Sequence, residues 1–151
     1  MGADPLRAFG VFTAIGLWWP LSVRSVLGPG SAVGFVDGRL VEWSPHGETA
    51  VWGTSIGWVP GEAVALTWHP GRPPQAAGRL TVRFIAAGPQ TLVTLNHSGW
   101  EGYDDPVAAR HDYNQGWPRM LGLLRDQVNQ RAGGGDPATP PGDPARPATA
   151  W

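Results

Sequence analysis

From residue 32 to residue 98, apolar and polar side chains alternate along short segments, and each segment ends at a turn signal. Asp37-Gly38, Pro45-His46-Gly47-Glu48, Pro60-Gly61 and Gly88-Pro89 are such signals, and the Pro/Gly-rich stretch 70–77 is another. A period of two is that of a strand with one covered side. Beyond residue 100 the period changes. Val107, Arg110, Tyr113, Trp117, Leu121, Leu124 and Val128 stand three or four apart, which is the stripe of an amphipathic helix. A meander of short strands followed by one long striped helix has few ways to enclose a core. The sheet curves, the helix lies across its concave face, and the fold class expected is α+β.

Six strands are expected: Ala32 to Phe35, Arg39 to Ser44, Thr49 to Val59, Ala63 to His69, Arg79 to Ala87 and Gln90 to Ser98. In the third, Trp52, Thr54, Ile56 and Trp58 share one face, and Gly53 and Gly57 on the other allow close packing or a bulge. Val64, Leu66 and Trp68 share a face, as do Leu80, Val82, Phe84 and Ala86, with Arg83 opposite and solvated. In the second strand Leu40 alternates against Val41 and Trp43. If the Leu40 face looks inward, Glu42 becomes a polar group inside the chamber.

Ahead of the strands, Asp4-Pro5 is a helix start, and Leu6, Phe9 and Phe12, with Val11, follow at helical spacing to about Thr13-Ala14. A short second helix or turn, Ile15 to Trp19, is stopped by Pro20. Trp18 and Trp19 cannot both face inward, being about 100° apart on a helix, so one packs and the other lies at a rim. Asp104-Asp105-Pro106 repeats the helix-start chemistry. Pro118, with Gly116 beside it, is expected to kink the long helix near Asn114 to Trp117.

The chain has 151 residues, enough for one core. The domain is expected over residues 4–130 and a Pro/Gly/Ala-rich disordered tail over 131–151, with Trp151 exposed at its end. A net charge of −1 points to neither nucleic acid nor an anionic membrane surface. No apolar run is long enough to span a bilayer, and no secretory signal is visible, so a cytoplasmic protein is the default expectation. There is no Cys, which excludes thiolate metal sites and a cysteine nucleophile. His46, His69, His97 and His111 show no metal-ligand spacing. Gly133-Gly134-Gly135 lacks the context and the Lys of a phosphate loop. No cofactor is implied.

Nine Trp, eight of them between residues 18 and 117, imply a large aromatic core, an aromatic-lined cavity, or both. The stretch Thr94-Leu95-Asn96-His97-Ser98-Gly99-Trp100 locates a candidate site. His97 ends the row Thr91, Val93, Leu95, His97, so a ring with two nitrogens sits at the end of a mostly apolar face. It is either an acid, base or hydrogen-bond donor for a ligand or a tie between the strand end and its surroundings. Trp52, Trp68, Trp100 and Trp117 either line a pocket or fill a core, and Tyr113 can project its hydroxyl inward.

Several motifs, in order, carry a resemblance: Ala8-Phe9-Gly10-Val11-Phe12-Thr13, Trp18-Trp19-Pro20, Gly38-Arg39-Leu40-Val41-Glu42, Trp52-Gly53, Thr67-Trp68-His69-Pro70-Gly71, His97-Ser98-Gly99-Trp100 and Gly116-Trp117. Together they are similar to the AHSA1-like (activator of Hsp90 ATPase homologue 1-like) branch of the START-like (SRPBCC) superfamily, over about residues 6–128. The resemblance implies a helix-grip fold. It also exposes a departure. Family members carry a strand before the opening helix, and here only Met1-Gly2-Ala3 precede Asp4. Either the natural chain is longer, or the domain leaves a sheet edge uncovered or hides it by dimerising.

Three functions are open on this reading. The first is a stand-alone module binding a small hydrophobic or aromatic molecule between sheet and C-terminal helix, contacted by Trp52, Trp68, His97, Trp100, Tyr113 and Trp117. The second is a cyclase- or dehydratase-type enzyme, as found elsewhere in START-like folds, with His97 as general base and Tyr113 beside it. The third is a chaperone-linked interaction module, which needs an exposed apolar patch such as one at Trp18-Trp19.

Overall fold

The structure is a computed structural model that describes residues 3–22 and 24–133; the first three residues of the expected tail, 131–133, belong to the long C-terminal helix instead, and the rest of it, with Trp151, lies outside the described residues. Helix α1 spans Pro5–Thr13. Asp4 caps it by accepting the Arg7 backbone N–H at 2.8 Å, and Pro5 occupies its first turn. Phe9, Val11 and Phe12 are buried, while Leu6 is exposed. The expected second helix is a single 3₁₀ turn, Ile15–Leu17.

Six strands follow: β1 Ala32–Val36, β2 Arg39–Trp43, β3 Thr49–Val59, β4 Ala63–Trp68, β5 Gly78–Ala87 and β6 Gln90–Ser98. They form one antiparallel meander in the order β1-β2-β3-β4-β5-β6. Inward residues are those expected in β4, β5 and β6, except that Ala86 is exposed. In β2 it is Leu40 and Glu42 that face the core, both 0% exposed, while Trp43 is 40% exposed.

Strand β3 corrects the expectation of one face. Trp52 and Trp58 are buried, but Thr54 and Ile56 are exposed. The register slips twice, opposite Leu40/Val41 and between Ser55 and Gly57. Each bulge adds a residue and flips the alternation. Between them β3 leaves β2 and joins β4, so the sheet bends there. A Cβ at Gly53 would stand 1.8 Å from the Thr67 carbonyl oxygen, so only glycine permits the bend. The Thr67 hydroxyl takes the Thr54 backbone N–H at 2.8 Å.

Helix α2 runs from Pro106 to Gly133 with Pro118 inside it. Asp105 caps it by accepting the Ala108 N–H at 3.1 Å. Trp117, Met120, Leu124 and Val128 are buried and Tyr113 and Leu121 half-buried. Three corrections follow. Val107, 80% exposed, and Arg110, also exposed, lie off the buried stripe, and Met120 takes a core place that the expected stripe omitted.

Candidate functional site

Along α2, Asp112, Tyr113, Gln115, Gly116, Trp117, Arg119 and Met120 face a cleft of ≈ 580 Å³. Trp52, Trp68 and Pro70 of the sheet side form its floor, and Trp19, Arg24, Ser25 and Val26 form its outer lip. Four indoles meet here. Trp19 lies 5.3 Å from Trp52, 5.8 Å from Trp68 and 6.2 Å from Trp117, ring centre to ring centre. Trp68 lies 5.9 Å from Trp52 and 5.5 Å from Trp117. These tilted, edge-on contacts are the favoured geometry for aromatic pairs. Trp52, Trp68 and Trp117 are 1%, 2% and 8% exposed, so they offer narrow, firmly held edges. Trp19 and Tyr113, half-buried, offer more surface.

Every indole N–H in this wall is already bound. Trp19 donates to the Arg24 carbonyl at 2.8 Å, Trp52 to Glu42 Oε1 at 3.1 Å, Trp68 to Tyr113 Oη at 3.2 Å and Trp117 to His97 Nδ1 at 3.1 Å. The wall therefore presents carbon to the cleft.

Glu42 holds the lip in place. Its buried carboxylate accepts from the Val26 N–H (2.8 Å), the Leu27 N–H (3.1 Å), the Ser31 hydroxyl (2.6 Å) and the Trp52 indole. The polar group allowed for inside the chamber is thus spent on the chain itself: it fastens the segment that carries Arg24, Ser25 and Val26.

His97 stands behind Trp117 and Tyr113 and does not border the cleft. Gly78 leaves room for the ring, since a Cβ there would come within 3.0 Å of His97 Nε2. Trp100 covers it at 3.9 Å between ring centres. An indole N–H can only donate, so Nδ1 is the acceptor and the neutral ring carries its hydrogen on Nε2. Nε2 faces the Tyr103 hydroxyl at a long 3.4 Å. Burial, with the charge of Arg72 adding to it, lowers the His97 pKa to about 4. At neutral pH it is an uncharged link.

Tyr103 was not singled out in the sequence, although it follows Trp100 by three residues in a run of aromatic side chains. Burial raises its phenol pKa, the adjacent Tyr113 raises it further, and Arg72 opposes them. The Arg72 guanidinium lies 3.4 Å from the centre of the Tyr103 ring. It also donates to the carbonyls of Ala76 and Gly102, while its buried Nη1 has no partner. Arg72 thereby clamps the 70–77 loop to the turn at Trp100–Gly102.

Hydrogens can be counted along this network. Trp117, Trp68, His97, Tyr103 and Tyr113 bring one each. Three links are made: Trp117 to His97, His97 to Tyr103, and Trp68 to Tyr113. In the last the Tyr113 oxygen accepts, so these links do not use the Tyr113 hydrogen, and of the two phenols only Tyr113 borders the cleft.

Of the six candidates, Trp52, Trp68, Tyr113 and Trp117 thus border the cleft, and His97 and Trp100 back them. Trp18 packs on Phe12, 5.6 Å between ring centres, and is 7% exposed, so Trp18-Trp19 is no exposed patch. Lip residues Arg24 and Val26 carry no periodic signal and could not be picked out. Among the described residues, no three of His, Cys, Asp and Glu gather to hold a metal ion, and no helix is long and apolar enough to cross a membrane.

Known structures share this architecture. Protein MLL2253 of Mesorhizobium loti superposes with a TM-score of 0.61 at 17% identity, over 87% of this chain and 92% of its own. The Aha1 dimer of Colwellia psychrerythraea superposes at 0.59, again at 17% identity, over 85% and 90%. The anthrahydroquino-Gama-pyrone synthase Txn09 is 29% identical over 73% and 79%, at a TM-score of 0.49 that supports no functional transfer. None of the curated proteins compared matches the sequence. A family model described as "Activator of Hsp90 ATPase homolog 1-like protein" matches residues 12–129. With the helix-grip arrangement of curved sheet and C-terminal helix, that match establishes that the chain belongs to the AHSA1-like family.

Proposed function

We propose that this protein binds a small, largely aromatic molecule in the cleft between the sheet, the lip formed by Trp19, Arg24, Ser25 and Val26, and α2. The observation that carries this reading is the wall of four indoles whose N–H groups are all satisfied from within. Such a wall gains nothing from water and offers dispersion and desolvation to a flat ligand. The ≈ 580 Å³ of space falls in the range of about 300–1,000 Å³ usual for small-molecule sites. Because the rings are already held, binding needs little reordering. At roughly 0.3 kcal/mol per heavy atom, a ligand of about 20 atoms gains some 6 kcal/mol, or affinity in the tens of micromolar.

In this reading Tyr113 turns its spare hydrogen toward an acceptor on the ligand, and His97 positions Tyr113 and Trp117 without contacting it. A general-base role for His97 has less support, because both ring nitrogens face side chains of the protein. The test is titration with 2-naphthalenemethanol, followed by tryptophan emission. Saturable quenching is expected, and Gly116→Leu, which fills the space beside Arg24, should abolish it. A wild-type protein that shows no saturable change across a panel of neutral and carboxylated bicyclic aromatics rejects the proposal.

A second proposal concerns assembly. Strands β1 and β6 are the outer strands of the sheet among the described residues, and an outer strand is a template for pairing. We propose that two copies pair along one of these edges. The Aha1 of Colwellia psychrerythraea is a dimer, which agrees with this reading. A monomer mass by sedimentation equilibrium across the micromolar range rejects it.

A further inference from the structure

Resting on the binding reading above, we infer that the molecule held in this cleft is a carboxylated aromatic, its acid group seated at the mouth between Arg24 and Arg119. Both side chains border the cleft, one from the lip and one from α2. Among the described residues neither has a carboxylate within 4.0 Å; the pair Arg125 with Asp126 lies farther along α2. Arg24 is not a loose surface side chain. Its carbonyl is pinned by Trp19, its N–H bonds the Pro20 carbonyl at 2.9 Å, and Glu42 fastens Val26 two residues on. Its Nη2 lies 3.6 Å from where a Cβ at Gly116 would stand, so the guanidinium, exposed on its outer side, reaches over the bare backbone of α2 at the cleft mouth.

Asp112 also borders the cleft. Two positive charges and one negative leave the mouth at +1. The remaining polar side chains at the cleft are uncharged: the Tyr113 hydroxyl, the Gln115 amide, which meets His111 Nε2 at 3.3 Å, and the Ser25 hydroxyl, whose oxygen accepts the Gly28 N–H at 3.1 Å. A neutral hydrocarbon entering the cleft strips water from two guanidinium groups and returns nothing. A carboxylate answers both with charge-assisted hydrogen bonds, for which the planar guanidinium fork is suited. The ligand's body then lies on the indole edges, and the Tyr113 hydroxyl meets an acceptor deeper in.

The two guanidinium groups are exposed enough for solvent to screen them, so the expected preference is about tenfold and not a hundredfold. The experiment compares 2-naphthoate with 2-naphthalenemethanol at neutral pH by tryptophan quenching. The two probes share one ring system and differ in charge. Tighter binding of the naphthoate by about tenfold, reduced toward parity in Arg24→Gln and in Arg119→Gln and weakened by added salt, supports the inference. Equal binding of both probes, or a naphthoate preference unchanged in both variants, overturns it and leaves the binding reading intact. Binding of neither probe overturns both. Alcohol affinity retained in the variants shows that they are folded.

Discussion

The Trp117 indole donates to His97 Nδ1 at 3.1 Å, and that bond sets the tautomer of the neutral imidazole. Protonating Nδ1 would put two N–H groups face to face in a half-buried site. Burial, with the Arg72 charge adding to it, holds the pKa at about 4 against an ordinary 6.5. The unfolded chain takes up the proton first as pH falls. His97's contribution to stability is thus full above pH 6.5 and is lost on acidification toward pH 4. The whole shift corresponds to about 3 kcal/mol; partial exposure reduces this to roughly 1–2 kcal/mol. A ¹H–¹³C titration should place the His97 midpoint near 4. Denaturant midpoints between pH 7.5 and 4.5 should fall more steeply in wild type than in His97→Asn. A midpoint near 6.5 sinks the account.

Arg72 offers a way to separate the two causes of that shift. Burial is the larger and the Arg72 charge the smaller. In Arg72→Gln the charge is gone while the aromatic surroundings stay, so His97 should titrate higher than in wild type yet still below 6.5. The same change removes the guanidinium from the Tyr103 ring and from two loop carbonyls, at a cost of about 1–2 kcal/mol. Recovery of the full 6.5 in a folded variant contradicts the ranking of causes.

Periodicity made most of this fold legible. Thr91, Val93, Leu95 and His97 do share the inner face of β6, and Asp105-Pro106 does open α2. What periodicity hides are the places where alternation is broken or where one side chain answers a distant backbone. The two bulges of β3 turned Thr54 and Ile56 outward because register depends on the neighbouring strands and not on β3 itself. Glu42 looks like a solvated charge until the N–H groups of Val26 and Leu27 are seen to converge on it across at least fifteen residues. Arg72 and Tyr103 belong to a loop and a turn, where sequence spacing carries no facing rule. Trp52 and Trp68 of the cleft floor and the rim place of one of Trp18 and Trp19 could be read from the sequence; Arg24, Ser25 and Val26 of the lip could not.

Glu42→Gln tests the lip. The amide nitrogen of Gln brings hydrogens where the carboxylate met only donors, so at least one of four bonds becomes a clash of donors. The site is fully buried, and the cost should be about 2–4 kcal/mol, read as a lower urea midpoint at unchanged m-value. Quenching by 2-naphthoate should weaken beyond what stability predicts, because Arg24 rides on the released segment. A variant as stable as wild type removes the assigned role.

Two glycines make opposite predictions for the same substitution. At Gly53 an added Cβ meets the backbone of Thr67, with its carbonyl oxygen at 1.8 Å and its carbonyl carbon at 2.9 Å. Neither can move without parting β3 from β4, so Gly53→Ala should cost about 3 kcal/mol or more. At Gly116, inside α2, the nearest atom to an added Cβ is Arg24 Nη2 at 3.6 Å, an ordinary contact. Nothing in the protein's own packing requires glycine there, and a helix-interior glycine costs roughly 0.5–1 kcal/mol relative to alanine. Gly116→Ala should therefore raise the melting temperature by a few degrees. It should also narrow the cleft beside Arg24 and weaken 2-naphthoate binding several-fold. A variant that gains stability and loses affinity together shows that the space at residue 116 is kept for a ligand. A variant that gains stability with affinity intact places the ligand elsewhere in the cleft.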